Sequence, residues 1–171
     1  MYHAATYASP VGTLTLCAHE DRLVGLWLEG QKYFAASVPG EMVPNGDSPI
    51  LLQTREWLDR YFAKKAPSPT ELPLAPMGTP FRQTVWKLLQ EIPYGQVITY
   101  GQLSWRTDAA LGRPSMAAQA VGSAAGRNPI SIIIPCHRLV GADGSLTGYA
   151  GGLECKQWLL CHEQKTRDAS E

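Results

Sequence analysis

Pro135-Cys136-His137-Arg138 sets a thiol directly beside an imidazole and a guanidinium. A thiol attacks as its thiolate, a form favoured by a neighbouring cation, a base or the dipoles of a helix N-terminus. Here the basic residues follow on the C-terminal side. Ile130, Ile132, Ile133 and Ile134 precede the motif and Pro135 restricts its backbone, so Cys136 is predicted at the edge of a core and not on a loose loop. The same pattern suits a buried structural cysteine, because free thiols are often core residues. The other cysteines, Cys17, Cys155 and Cys161, form no CxxC pair and no metal-site spacing, which predicts independent thiols and neither a disulfide framework nor a zinc ribbon. His3, Cys17 and His19 lack an evident fourth ligand. No metal and no cofactor are expected, in keeping with the lack of a Gly-rich phosphate loop.

The elements that must hold Cys136 read as follows. Tyr2 to Tyr7, Thr13 to Ala18 and Leu23 to Leu28 carry strand patterns, broken by Ser9-Pro10-Val11-Gly12 and by Glu20-Asp21, and predict an antiparallel meander. Residues 30 to 48 hold Gly30, Pro39, Gly40, Pro44 and Gly46 without a sustained period and read as a loop. Ser48-Pro49 opens a helix with Leu51, Leu58, Tyr61 and Phe62 on one stripe, ending before Pro67. Pro67, Pro69, Pro73 and Pro76 then mark a stiff connector between two folding units. Thr79-Pro80 caps a core helix in which Phe81, Val85, Leu88, Leu89 and Ile92 recur at helical spacing up to Pro93. Thr99 and Gln102 form a capping-box pattern before a short helix from Tyr100, and Ser115 can cap another over Met116 to Ala125. Two short helices joined by a turn suggest a helix-turn-helix. Ser131 to Ile134 must leave any sheet at Pro135. Leu153, Gln157 and Leu160, with Trp158 as a further candidate, give a last amphipathic helix to about Glu163.

The chain has 171 residues, 44% of them hydrophobic and 18% charged, a composition able to bury a core in one ordinary domain or two small ones. The division is placed at 1–77 and 78–171. No apolar run approaches a membrane span and Met1 to Thr15 lacks signal-peptide character, so a soluble, cytoplasmic protein is expected. Fifteen basic and fifteen acidic residues cancel, and any nucleic-acid contact must be local. Six basic and eight acidic residues lie in 1–77 against nine and seven in 78–171, a slight preference for the second half facing phosphate.

Gly78-Thr79-Pro80-Phe81, Val85-Trp86-Lys87, Ile92-Pro93-Tyr94-Gly95, Thr99-Tyr100-Gly101-Gln102-Leu103, Ala120-Val121-Gly122, Asn128-Pro129, Pro135-Cys136-His137-Arg138, Gly148-Tyr149-Ala150-Gly151-Gly152 and Trp158-Leu159-Leu160 run through residues 78 to 163. Together they resemble the methylated-DNA–protein-cysteine methyltransferases. The resemblance implies an α/β two-domain fold: an N-terminal antiparallel-sheet domain with a helix, ribonuclease-H-like, and a mostly helical C-terminal domain with a helix-turn-helix. It implies a protein that takes alkyl groups from O6 of guanine and O4 of thymine in double-stranded DNA onto its own cysteine. A thioether offers water no activated carbonyl, so each molecule acts once, without a cofactor.

Residue by residue, Cys136 matches the alkyl acceptor, His137 the base that takes its proton through a water, and Glu163 the carboxylate that orients the imidazole. Tyr100 matches the residue that presses on the flipped nucleotide's phosphate and gives a proton to guanine N3. Asn128 matches a bracing hinge; Leu139, Tyr149 and Ala150 match the base pocket; Ser131 stands where some relatives have proline, which suggests room for alkyl groups larger than methyl. The small residues of Met116 to Gly126 suit a helix that enters the minor groove, which is about 6 Å wide, with Ser115, Ala118, Gln119, Gly122, Ser123 and Arg127 at DNA. An alanine-rich helix packed on a core has the same composition. Gln119 stands seventeen residues before Cys136, where the family usually carries an arginine that fills the stack left by the flipped base. Glutamine keeps hydrogen bonding but loses charge and stacking area, which predicts weakened binding or flipping. The segment from Arg106 to Gly112 is longer than the family pattern. Arg82, Arg113, Arg127 and Arg138 are candidate phosphate contacts, and a monomer is expected. Two other readings compete: a lesion sensor impaired by Gln119, and a thiol hydrolase that turns over on Cys136 and His137.

Overall fold

The structure, a computed structural model, describes residues 1–112 and 118–170, with side chains at 1–112 and 119–164. The chain forms two compact units, one of Met1–Met77 with Pro129–Ile133 and one of Gly78–Asn128 with Ile134–Glu171.

In the first unit β1 (Tyr2–Ser9), β2 (Gly12–His19) and β3 (Arg22–Leu28) form the expected antiparallel meander. Its first turn is closed by Ser9, whose hydroxyl donates to the Gly12 carbonyl at 2.6 Å and accepts from the Val11 N–H. A fourth strand, β4 (Met42–Pro44), lies parallel to β1 in the order β3-β2-β1-β4. The sheet is therefore mixed, and residues 30 to 48 are not wholly loop. Three residues interrupted by Pro44 are too short for an alternating pattern to show. Helix α1 (Pro49–Phe62) buries Ile50, Leu51, Trp57, Leu58 and Tyr61; Phe62 is only half-buried. The proline segment is not a free connector. Ser68 and Glu71 form a capping box, and Leu23 donates to the Pro73 carbonyl while accepting from the Ala75 N–H, so the segment runs along the β3 edge. Pro73 supplies a carbonyl but no donor, as an edge position permits.

Pro129–Ile133 joins the same edge. Leu26 donates to the Pro129 carbonyl and accepts from the Ser131 N–H, both at 2.9 Å. The Ile133 N–H then donates to the Ser131 carbonyl at 2.8 Å, a three-residue turn that holds Ile132 at φ 71°. A β-branched residue in this region costs about 1–3 kcal/mol. Burial of Ile130, Ile132, Ile133 and Ile134 holds the turn in place.

The second unit contains α2 (Pro80–Leu89), β5 (Ile98–Thr99), α3 (Tyr100–Leu111), α4 (Ala118–Gly126), a 3-10 turn at Cys136–Arg138, β6 (Leu139–Val140) and α5 (Leu153–Ser170). Thr79 caps α2 through the Arg82 N–H, and Thr99 and Gln102 complete the reciprocal capping box of α3. Helix α2 stops at Leu89, before the expected Ile92, although Ile92 remains buried. Helices α2, α3 and α4 pack on one another, supplying the two short helices of the expected pair; Arg113, Ser115, Met116 and the side chain of Ala118 lie outside the described residues. The Trp86 indole N–H donates to the Ala124 carbonyl at 2.9 Å and ties α2 to the end of α4. Helix α5 continues past the expected Glu163. No helix among the described residues is long and apolar enough to cross a membrane.

The Trp86 ring lies over Gly78, where a Cβ would meet it at 2.3 Å. Gly78→Ala should lower stability by about 1–3 kcal/mol in urea unfolding, as overpacking does. Gly46→Ala, with nothing within 4 Å of the new atom, should stay within about 0.5 kcal/mol.

Candidate active site

Two consecutive tight turns aim Cys136. After the turn at Ile132, Pro135 takes φ −85° and ψ 64°, and the Cys136 N–H donates to the Ile134 carbonyl at 2.9 Å. This is an inverse γ-turn, a geometry the proline ring favours through φ. Beyond the 3-10 turn, β6 pairs in parallel with β5, with Ile98 opposite Leu139 and Thr99 opposite Val140. That short ladder sets the start of α3, where Tyr100 sits, beside the end of the cysteine turn. The Asn128 amide donates to the Ile134 carbonyl at 2.8 Å and to Cys136 Sγ at 3.3 Å, so the bracing group also touches the thiol.

His137 Nε2 lies 2.7 Å from Glu163 Oε2. Arg138 donates through Nε to Glu163 Oε1 at 2.8 Å and through Nη2 to Oε2 at 3.1 Å, and its Nη1 donates to the Ile92 carbonyl at 2.6 Å. The Gly95 N–H adds a further bond to Glu163 Oε1 at 3.2 Å. Burial alone would raise the Glu163 carboxyl, but the His137 ring and the Arg138 guanidinium outweigh it and hold the group well below the usual carboxylate range. The ionised carboxylate only accepts, so the shared proton belongs on His137 Nε2. Burial keeps the imidazole neutral, against the pull of Glu163, which leaves the lone pair on Nδ1. No described protein group bonds that nitrogen. The ring is thus a base with its open side at Nδ1.

Burial also pushes the Cys136 thiol up, opposed by the Asn128 hydrogen bond and by the charge of Lys156. The resting sulfur is a thiol and not the thiolate that its basic neighbours suggested. The physical reason is where those neighbours point: His137 and Arg138 both turn to Glu163. The cation that reaches Cys136 is Lys156, twenty residues on in α5. Cys17 and Cys155 are both pushed up to about 11 by burial.

The remaining predicted residues divide. The Tyr100 hydroxyl donates to the Gly148 carbonyl at 3.4 Å, and Tyr149 meets the His137 ring edge-on at 6.5 Å between centroids, so Tyr100, Tyr149 and half-buried Ala150 gather near the imidazole segment. Leu139 is fully buried in β6 as a core residue. Ser131 lies with the first unit, where its buried hydroxyl donates to Gln31 Oε1 at 3.0 Å; a side chain committed to that bond gives no support to an enlarged pocket. On α4, Gln119 and Ser123 are exposed and Gly122 half-buried, whereas Val121, Ala124 and Ala125 are buried; Arg127, just past the helix, is exposed. The small-residue helix therefore has one buried face and one exposed face. Arg82 is half-buried. Arg138 is corrected from a phosphate candidate to a buried partner of Glu163. Sequence reasoning missed Lys156 and the Gly95 N–H. On α5 it followed Leu153, Gln157 and Leu160, but Leu153 and Gln157 are exposed and the buried face carries Lys156, Leu159, His162 and Glu163. Charges at helical spacing were the available signal, and they read as a solvated face.

Fold and site together define a protein with a mixed-sheet unit and a helical unit in which a buried cysteine directly precedes a histidine paired with a buried carboxylate. Residues 2–76 match the 6-O-methylguanine DNA methyltransferase ribonuclease-like domain, and residues 80–165 match the DNA binding domain of the same proteins. A methylated-DNA–protein-cysteine methyltransferase of Methanosarcina acetivorans is 42% identical over 161 residues, 94% of this chain and 96% of that one. One of Mycolicibacterium paratuberculosis is 38% identical over 99% of this chain and 97% of its own. The crystal structure of Mycobacterium tuberculosis OGT in complex with DNA superposes with a TM-score of 0.83 at 38% identity, covering 96% of this chain and 94% of that one. The chain belongs to the 6-O-methylguanine DNA methyltransferase family.

Glu163→Gln removes the charge that Arg138 and His137 share and should cost about 3–5 kcal/mol near pH 7. Because the folded-state pKa is depressed, this stability is fully present above the ordinary value of 4.5 and is lost as pH falls through the folded value. Chemical denaturation of both proteins should therefore show a gap that closes as the pH drops below 4.5. A gap constant down to pH 3 would contradict an ionised Glu163.

Proposed function

We propose that this chain repairs DNA by moving the alkyl group of O6-alkylguanine onto Cys136, once per molecule. The single observation that carries the assignment to Cys136 is the relay: a buried thiol braced by Asn128 and followed by a neutral imidazole whose far nitrogen is fixed on an ionised Glu163.

The thiol proton leaves for His137 Nδ1 through a water, and Glu163 stabilises the imidazolium that forms. The sulfur electron pair then bonds the alkyl carbon, and the C–O bond breaks with its pair going to the purine. Tyr100 gives a proton to N3, so guanine leaves neutral, and the imidazolium returns a proton through solvent to the tyrosine. The thioether that remains has no route back, which makes the protein a stoichiometric reagent. O4-alkylthymine presents the same carbon–oxygen bond and is a second substrate on chemical grounds. The main chain at Ala150 serves O6, and Tyr149 walls the base.

Reaction at a stacked base needs the base turned out, at a cost of a few kcal/mol. The exposed face of α4 enters the minor groove through Gln119, Gly122 and Ser123, with Arg127 at phosphate. Exposure of the uncharged Gln119 and Ser123 beside the buried Val121 and Ala124 supports that placement. The unit built on residues 78–171 binds DNA and accepts the alkyl group, and residues 1–77 form the scaffold. Four free thiols suit a reducing cytoplasm, and the working form is a monomer.

Incubation with duplex DNA containing O6-methylguanine should add one methyl, permanently, to the Cys136 peptide, seen by mass spectrometry of the intact and digested protein. Cys136→Ser should abolish it; transfer by that variant, or many lesions cleared per chain, would refute the assignment. Gln119→Arg should tighten binding to the lesion duplex and speed transfer by about tenfold, the worth of one charged, stacking contact. Unchanged affinity and rate would show that position 119 does not fill the stack.

A further inference from the structure

Trp105 is 74% exposed, on a face of α3 that the chemistry described above does not use. Gly101, Gln102, Trp105 and Arg106, at i, i+1, i+4 and i+5, line a surface cleft of about 350 Å³. The opposite face of the helix buries Leu103, Ser104 and Thr107. A single exposed apolar residue needs no explanation, but this one stands among hydrogen-bond donors. The Thr99 N–H occupies Gln102 Oε1 at 2.8 Å, so the amide nitrogen is what Gln102 can offer a ligand. Exposed Arg106 has no ion pair among the described residues. Asp108, the one acid of α3, is half-buried and does not line the cleft. Donors, a cation and an apolar plate, with no anion among them, suit a ligand that is itself anionic and carries apolar surface. The sugar-phosphate backbone of DNA has both.

We propose that Trp105 and Arg106 form an outlying DNA contact, in which the guanidinium holds a backbone phosphate and the indole covers the adjoining deoxyribose. It rests on the reading of α4 as the helix that enters the groove. The cleft begins one residue past Tyr100, whose ring lies against α4, since a Cβ on Gly122 would meet that ring at 3.6 Å. Gly122 is flanked along α4 by exposed Gln119 and Ser123. In paired helices of this kind the first crosses the backbone while the second occupies the groove. An acidic protein would meet the same cation, but the cleft lies within residues 80–165, which match a DNA binding domain. Fifteen basic residues are cancelled by fifteen acidic ones, and Gln119 brings no charge to the groove. One guanidinium at position 106 is then a large share of the local attraction for phosphate.

Acrylamide quenching of tryptophan emission reads this contact directly. Trp27, Trp57 and Trp86 are buried and Trp158 is half-buried, which leaves Trp105 as the exposed indole. Full-length wild type and Trp105→Phe are compared with and without a saturating, undamaged DNA duplex. DNA should remove the readily quenched emission of the wild type, and the Phe variant should lack that emission from the start. Arg106→Gln should flatten the slope of log affinity against log salt by about one, the loss of one phosphate contact. Trp105→Ala should weaken binding by about fivefold or more at every salt concentration. Both side chains are exposed, so melting temperatures should stay at the wild-type value. A Trp105 that is quenched as readily on saturating DNA, or variants with unmoved affinity and slope, would overturn the contact. Quenching that falls as protein concentration rises without DNA would assign the cleft to a second copy of this chain and overturn it as well. Shielding of Trp105 by DNA in a wild type that never methylates Cys136 would sink the repair reading and support this contact.

Discussion

One carboxylate organises the reactive half of this protein. Glu163, 1% exposed, accepts from two arms of Arg138, from the His137 ring and from the Gly95 N–H. Those donors come from the cysteine turn and from the turn after α2, so α5, the 3-10 turn and the Pro93–Gly95 bend meet on two oxygen atoms. A buried ion is tolerated only where such donors replace its hydration. The same requirement that makes Glu163 costly to bury makes the surrounding geometry specific. Because the carboxylate is ionised and only accepts, it fixes which nitrogen of His137 holds the proton, and so which nitrogen is free to act as a base.

The sulfur is prepared in a different manner. Burial keeps Cys136 protonated, and burial likewise keeps the adjacent imidazole neutral. A proton passed from sulfur to ring turns two neutral groups into a thiolate–imidazolium pair, a charge separation that an ionised carboxylate held on the far side of the ring offsets. Two tight turns, at Ile132 and Pro135, lead directly into the 3-10 turn that Cys136 opens. Strain at Ile132 is held by the buried isoleucines around it, an instance of apolar packing sustaining a backbone geometry needed elsewhere.

Much of the framework was legible in local signals. The three-strand meander, α1, the Thr79 cap and the Thr99–Gln102 capping box depend on residues within a few positions of one another, and each was found where it was read. β4 and the β5–β6 pair were not legible, since strands of two or three residues draw their stability from partners far along the chain. The proline-rich stretch looked like a spacer because its composition lacks periodicity, yet its carbonyls and few N–H groups are what an edge strand uses. On α5 the hydrophobic pattern pointed to the wrong face, for the buried face is lined with a lysine, a histidine and a glutamate.

The sequence by itself singled out Cys136 as the candidate nucleophile and showed which family of proteins the chain resembles, because both readings reside in contiguous motifs. It also determined that position 119 departs from the usual residue. Only the tertiary structure decided the charge state of the actors. Arg138, adjacent to the imidazole, is turned away to neutralise Glu163, and Lys156, remote along the chain, supplies the cation that the sulfur feels. Electrostatic effects depend on distance and burial in space, and neither is written in the order of residues.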